Sequence, residues 1–169
     1  ALVFDYQSQW MSAIQPQGID FDYLQLTFGF YSALRQSGVD VDIIPSDIDF
    51  SGYRLLVIPS LLVMNENLIE RLRKFNGLVL LGPRSGSKTV DFQIPAQLPP
   101  GHLQQLIPIR ATRVESLRPG LKETVTYKNQ RYQVSRWRDL ITSDLTPQAH
   151  FSDGYGALYQ HEQFHYLAG

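Results

Sequence analysis

The apolar positions of this chain fall into two alternating patterns. ALVFDY, at positions 1–6, is a short apolar run of the length of one buried strand, and IQPQGIDFDY, at 14–23, is a loop whose closing acids suit the start of a helix. The segment 23–38, YLQLTFGFYSALRQSG, then places Leu24, Phe28, Tyr31 and Leu34 at helical spacing and stops at Gly38. VDVDIIP (39–45) alternates apolar and acidic positions, as a strand near a sheet edge does. YRLLVIPS (53–60) is a continuous apolar run of the kind buried on both faces. Asn65 is placed to cap a helix over 66–77, in which Leu68, Ile69, Leu72 and Phe75 form one stripe and Gly77 is the expected stop. GLVLLGP (77–83) reads as a fourth strand. Strands alternating with helices predict right-handed crossovers, and so a doubly wound, mostly parallel α/β sheet with helices on both faces.

Beyond position 90 the pattern changes. VDFQIPAQLPPG (90–101) is an extended, proline-rich loop, and 103–120 mixes an apolar patch with strand-like stretches under no single period. TVTYKNQRYQVSRW (124–137) predicts a hairpin turning near Asn129, and ALYQHEQFHYLAG (157–169) two strands turning near His161 and Glu162. The sheet is expected to finish rich in β-structure.

A chain of 169 residues with 43% apolar content is enough for one core and one domain. The absence of cysteine excludes a disulfide framework, a thiolate zinc site and a cysteine nucleophile together. No apolar run approaches the ~20 residues of a membrane span, no basic-then-apolar leader opens the chain, and a cytoplasmic setting is expected. Ala1 leads straight into LVFDY and the last residues, FHYLAG, are strand-like, so the expectation is a segment cut from a longer protein.

The net charge of −1 is unlike that of a nucleic-acid binder, but the charges are segregated. Positions 1–50 hold Asp5, Asp20, Asp22, Asp40, Asp42, Asp47 and Asp49 against Arg35 alone. Positions 110–138 hold Arg110, Arg113, Arg118, Lys122, Lys128, Arg131, Arg136 and Arg138 against Glu115 and Glu123. Either these are two ordinary solvated surfaces or they are complementary faces that meet across a contact.

The stretch 78–89, LVLLGPRSGSKT, nearly spells a phosphate-binding loop. It has Ser87 where the second glycine belongs, and it runs on into a proline-rich segment rather than into the helix that would complete an anion site. A turn at the end of a buried strand is the expectation. Of the four histidines only His161 and His165 have helical spacing, and they sit in a predicted hairpin, where that spacing does not bring two imidazoles onto one face. No metal or cofactor is expected.

In open α/β sheets ligands bind beyond the carboxyl ends of the strands, and there the chain shows a resemblance. Four strands ending in VLLGPRSG, followed late by QFHYLAG, resemble the class I glutamine amidotransferases, a flavodoxin-like fold. That resemblance implies a nucleophile elbow after the fourth strand and a histidine in the late motif. Here Pro83, Arg84 and Ser85 occupy the elbow where the family has its cysteine, and His165 matches the histidine. Tyr166 and Leu167 replace the Pro-Glu pair that follows it, so Arg84, Ser85 and His165 mark a degenerate site.

Over positions 2–169 the chain also resembles the middle domain of the family 42 glycoside hydrolases, the β-galactosidases. The resemblance rests on LVFDYQSQW, QPQG, FDYLQLTFGFYSALRQSGVDVDIIP, the segment DFSGYRLLVIPS through LLGPRSGSKT, and RVESLRPG. It implies an amidotransferase-like domain that mediates trimerisation, preceded by a (β/α)₈ barrel carrying two catalytic glutamates and followed by a small β domain. Neither glutamate transfers to Glu66, Glu70, Glu115 or Glu162, so no catalytic residue is expected here. The implied partners are two further copies of the chain, its own barrel domain and the galactoside held there. Gln9, Trp10, Arg84, Ser85 and Lys88 are expected at the rim of the barrel pocket or at a subunit contact, Asp20, Asp22, Arg113 and Arg118 in inter-subunit charge contacts, and Tyr6 and Phe4 in the core. The alternatives are a hydrolase using Ser85 and His165, and a carbohydrate-binding module.

Overall fold

The computed structural model describes residues 1–169. Three helices each start at an acid or amide whose side chain accepts a backbone N–H three residues on. Asp5 caps α1 (Tyr6–Ile14) through Ser8 N at 2.6 Å, Asp22 caps α2 (Tyr23–Gln36) through Gln25 N at 2.8 Å, and Asn65 caps α3 (Glu66–Lys74) through Leu68 N at 2.9 Å. Helix α3 matches its expected stripe, burying Leu68, Ile69 and Leu72, but it ends at Phe75, where the backbone turns extended, rather than at Gly77.

Helix α2 forms where it was expected, but α1 and the face that α2 buries depart from expectation. Of the residues of α1, Tyr6 was expected to end a strand and Ile14 to begin a loop, and positions 7–13 carried no expected element. They form a helix whose apolar side chains Tyr6, Trp10 and Ile14 face out, while its buried face is Ser8, Met11 and Ser12. The predicted stripe of α2 is inverted in the same way: Leu24 and Phe28 are exposed, and Tyr23 and Thr27 are buried.

Nine strands form one sheet in the order β2-β1-β3-β4-β11-β10-β9-β6-β7. The parallel half comprises β2 (Ile43–Ile44), β1 (Leu2–Val3), β3 (Leu55–Ile58), β4 (Leu78–Leu81) and β11 (Phe164–Leu167). From β11 the sheet continues antiparallel through β10 (Gly156–His161), β9 (Ala149–Phe151), β6 (Glu123–Tyr127) and β7 (Gln130–Val134). Both predicted hairpins are present, turning at Lys128 and Asn129 (φ 47 and 64) and at Glu162 (φ 51). A second sheet pairs β5 (Arg110–Ser116) with β8 (Trp137–Thr142), and a 3-10 turn covers Gly101–Gln105.

From β1 the chain crosses through α1 and α2 to β2 on one side, and from β3 it crosses through α3 to β4 on the other. Right-handed connections in opposite directions put the helices on opposite faces. On the α3 face, Val3, Leu56, Ile58, Val79, Leu81, Phe164 and Tyr166 join Leu68, Ile69, Leu72, Leu103 and Ile107 in the main core. Each such side chain contributes roughly 1.5–3 kcal/mol on burial. On the other face the register row Leu2, Val57, Leu80, His165 runs from fully buried at Leu2 and Val57 to half-buried at Leu80 and His165. That face is therefore closed near β1 and β3 and open near β4 and β11.

Leu72→Ala is expected to cost about 2–5 kcal/mol in urea unfolding, and Asn65→Ala, which removes only the α3 cap, about 1 kcal/mol. Comparable costs for the two would contradict this account of the core.

Candidate functional site

The loop after β4 is built by backbone approach. Gly82 N donates to Ile58 O at 2.8 Å, Gly86 N to Leu61 O at 2.8 Å and Lys88 N to Leu62 O at 2.9 Å, so the loop carries on the ladder begun by β3 and β4. A Cβ at Gly82 would stand 1.8 Å from Pro59 O. One at Gly86 (φ +68) would stand 2.0 Å from Pro100 O. The two glycines of the near-motif are therefore packing positions, and N–H groups that a phosphate loop would curl around an anion are spent on carbonyls.

Beneath this loop lies a network centred on Asp139 of β8. Its Oδ2 accepts from Arg84 N at 3.0 Å and from Tyr166 OH at 2.7 Å, and its Oδ1 from Trp137 Nε1 at 2.8 Å. Burial pushes the Asp139 carboxyl upward against these three donors and the nearby Arg84 charge, and burial beside Asp139 pushes the Tyr166 hydroxyl well up. Arg84, at φ 65, lies in the turn directly after β4. Its guanidinium stacks on Phe21 at 4.3 Å and on Trp137 at 4.6 Å, donates to Pro16 O at 3.0 Å, and is brought down by burial to about 10.

Of the five side chains expected at a rim, Trp10 is at the surface and Gln9 is half-buried, whereas Arg84, Ser85 and Lys88 are buried beneath the loop. Ser85 Oγ donates to Gly82 O at 2.9 Å and accepts from Leu61 N at 3.4 Å. His165 lies in mid-strand opposite Leu80 and Gln160, half-buried, with its imidazole pKa lowered by desolvation. The hydroxyl is held by main-chain groups and not by the imidazole, which removes the arrangement the Ser85/His165 hydrolase requires. His161, paired with Phe164, projects from the opposite pleat to His165 and cannot join it.

The charged candidates divide between internal and outward roles. Asp20 stands 4.0 Å from Arg136, which also donates to Gln25 Oε1 at 3.2 Å, so the acidic and basic regions meet inside one chain. Asp22 is spent on the α2 cap and Arg113 stands 4.0 Å from Glu115, while Arg118 is exposed. Arg138 is buried between Glu115 at 2.6 Å and Asp153 at 2.8 Å.

What sequence reading did not place is the residues of an apolar surface. Tyr6, Trp10, Ile14, Ile19, Leu24 and Phe28, on α1, the following loop and α2, are 54–88% exposed. Tyr6, expected in the core, belongs to this surface; Phe4 is half-buried against Tyr6 at 5.1 Å and Tyr23 at 5.5 Å. The missed signal was the absence of charge: positions 6–19 and 23–34 contain no Asp, Glu, Lys or Arg, which is unusual for solvated helices. A second apolar feature is a groove of about 420 Å³ on the sheet, lined by residues including Val125, Tyr127, Tyr132, Val134, Leu158 and Leu167. All but one of its nine lining residues are hydrophobic, so it lacks the convergent polar groups that would orient a sugar.

The family model described as the β-galactosidase trimerisation domain matches residues 1–162. A β-galactosidase of Thermus thermophilus is 48% identical over 168 residues, covering 99% of this chain and 26% of the relative. One of Halorubrum lacusprofundi is 41% identical over 128 residues, covering 74% of this chain and 18% of the relative. Among solved structures, the β-galactosidase of the psychrophilic Marinomonas ef1 superposes with a TM-score of 0.96 at 34% identity, over 99% of this chain and 26% of that one. The chain thus spans about a quarter of the length of such relatives.

Asp139→Ala, which strands three buried donors, is expected to destabilise the chain by about 3–5 kcal/mol. Ser85→Ala, which loses one neutral hydroxyl, is expected to cost about 1 kcal/mol. Chemical denaturation of the two variants checks the order.

Proposed function

The chain belongs to the β-galactosidase trimerisation-domain family of glycoside hydrolase family 42, and on that premise we propose that it is a non-catalytic assembly module within a β-galactosidase whose separate barrel domain hydrolyses terminal β-D-galactosyl residues. The observation that carries the reading is the uncharged apolar surface of α1 and α2. Contiguous apolar patches of this kind are uncommon on monomeric proteins and mark surfaces that are covered. A closed three-fold ring needs two different faces on each copy, because its contacts are heterologous. The α1/α2 surface and the sheet groove are two such faces.

On this reading the partners are two further copies and the barrel of the same chain, the galactoside is the barrel's ligand, and the setting is cytoplasmic. Trp10 and Gln9, at or near the apolar surface, meet a neighbouring copy or the rim of the barrel pocket, and Arg84, Ser85 and Lys88 hold the loop beside them in shape from below. Asp20, Asp22, Arg113 and Arg118 supply charge at the contacts, with Arg118 the freest to do so. The parallel order β2-β1-β3-β4-β11 supports a flavodoxin-like, amidotransferase-like ancestry, since it is the 2-1-3-4-5 order of that class. Arg84, at positive φ directly after the fourth strand, supports it as well.

In the longest natural chain that carries these residues, Trp10→Asp and Phe28→Asp are each expected to lower the mass found by light scattering from trimer to monomer, with the circular dichroism retained. A mass unchanged in both variants would contradict the proposal.

A further inference from the structure

Arg84 carries donors that its place in the fold does not use. One Nη donates to Pro16 O, but Nε and Nη2, the pair lying side by side along one edge of the guanidinium, are buried without a hydrogen bond in a residue only 2% exposed. Leaving both donors of a buried cation unmet is costly enough that native structures rarely do so. Ser87 Oγ is likewise buried without a partner. Lys88 Nζ donates to Gln15 Oε1 at 3.0 Å and to Phe92 O at 3.2 Å, which leaves a third N–H. Arg84, Ser87 and Lys88 are among the residues around one cavity of about 270 Å³, whose walls also include Trp137, Val114 and Ile94.

We propose that this cavity is a receptor for a single carboxylate, taken bidentately by Nε and Nη2 of Arg84 and completed by Ser87 Oγ and Lys88 Nζ. The parallel pair of donors on the guanidinium edge has the spacing of two carboxylate oxygens. The charges agree. Arg84 and Lys88 bring two positive charges to the cavity, and Asp139, the one acid in its wall, turns its oxygens to Arg84 N, Trp137 Nε1 and Tyr166 OH rather than to the guanidinium edge. A second carboxylate balances the second cation. The volume, below the ~300–1,000 Å³ of sites for larger organic ligands, fits a group the size of a side chain, and the apolar walls fit its short stem. The near-motif 78–89 would thus hold an oxyanion after all, through side chains in place of main-chain amides. The carboxylate comes either from a small free acid or from an Asp or Glu elsewhere in the longer natural chain or in a neighbouring copy.

The test titrates sodium acetate against sodium chloride at equal ionic strength, following the melting of the longest natural chain that carries residues 1–169 and of its Arg84→Lys variant, which keeps the charge and loses the paired donors. A saturable rise of about 3 °C in the unmodified chain, absent from Arg84→Lys, supports the proposal with a free acid as occupant. If the melting ignores acetate, carbodiimide coupling followed by mass spectrometry decides: an amide between Lys88 Nζ and an Asp or Glu outside residues 1–169, absent from Lys88→Arg, supports it with a side chain as occupant. Neither response, or an acetate response equal in both chains, overturns it. Should Arg84→Lys fail to fold, Ser87→Ala takes its place, expected to raise the half-saturating acetate concentration about tenfold or to lower the yield of the amide; no change in either would also overturn the proposal.

Discussion

Asp139 lies wholly inside the chain and accepts hydrogen bonds from its own strand through Trp137 Nε1 and from two segments distant in sequence, the turn after β4 through Arg84 N and β11 through Tyr166 OH. A buried carboxylate is tolerable only if such donors converge on it, so its position fixes theirs. With Arg84 N held, the turn is set at positive φ and its guanidinium is delivered between Phe21 and Trp137, which in turn fastens the loop before α2 over the sheet. Ser8 Oγ, accepting from Leu62 N at 3.0 Å, ties α1 to the segment following β3. The inner faces of α1 and α2 each carry one such polar tie, Ser8 to Leu62 N and the Tyr23 hydroxyl to Asp5 N, while Tyr6, Trp10, Ile14, Leu24 and Phe28 point outward.

That inversion explains which parts of the fold were legible in the sequence. Helix α3, strands β3 and β4 and both hairpins follow ordinary rules: apolar residues go inward, caps and turn residues stand at the ends, and pattern reading places each of them. Helices α1 and α2 use the same alphabet with the opposite sign. Leu24 and Phe28 look like core by periodicity and form surface, because the surface they form is suited to be covered. Strand β8 was unreadable for the complementary reason. Its five consecutive buried residues, Trp137 to Ile141, include Arg138 and Asp139, and a charged pair inside a buried strand masks the apolar run that would announce it. Of the expected site residues, the place of Arg84 in the turn after β4 was visible in the sequence. Its partner Asp139 was not, since the contact spans 55 positions and no local spacing encodes it.

The loop that first suggests phosphate binding is held by packing and by main-chain hydrogen bonds. Gly82 and Gly86 permit close approach of main chain to main chain, Ser85 has both sides of its hydroxyl satisfied by backbone, and His165 stands apart in mid-strand. Rigid placement is what such a loop offers to a neighbouring surface, and it suits a module that positions other parts of an enzyme.

On the proposed reading the outward apolar residues of α1 and α2 are covered in the assembled enzyme. Hydroxyl-radical footprinting with mass spectrometry measures this directly, because Tyr6, Trp10 and Phe28 are reactive when they meet solvent. In the longest natural chain at concentrations where it is assembled, the account predicts slow oxidation of all three, rising when the assembly is diluted to dissociation. Rapid oxidation of Tyr6, Trp10 and Phe28 in the assembled protein, unchanged on dilution, would contradict it.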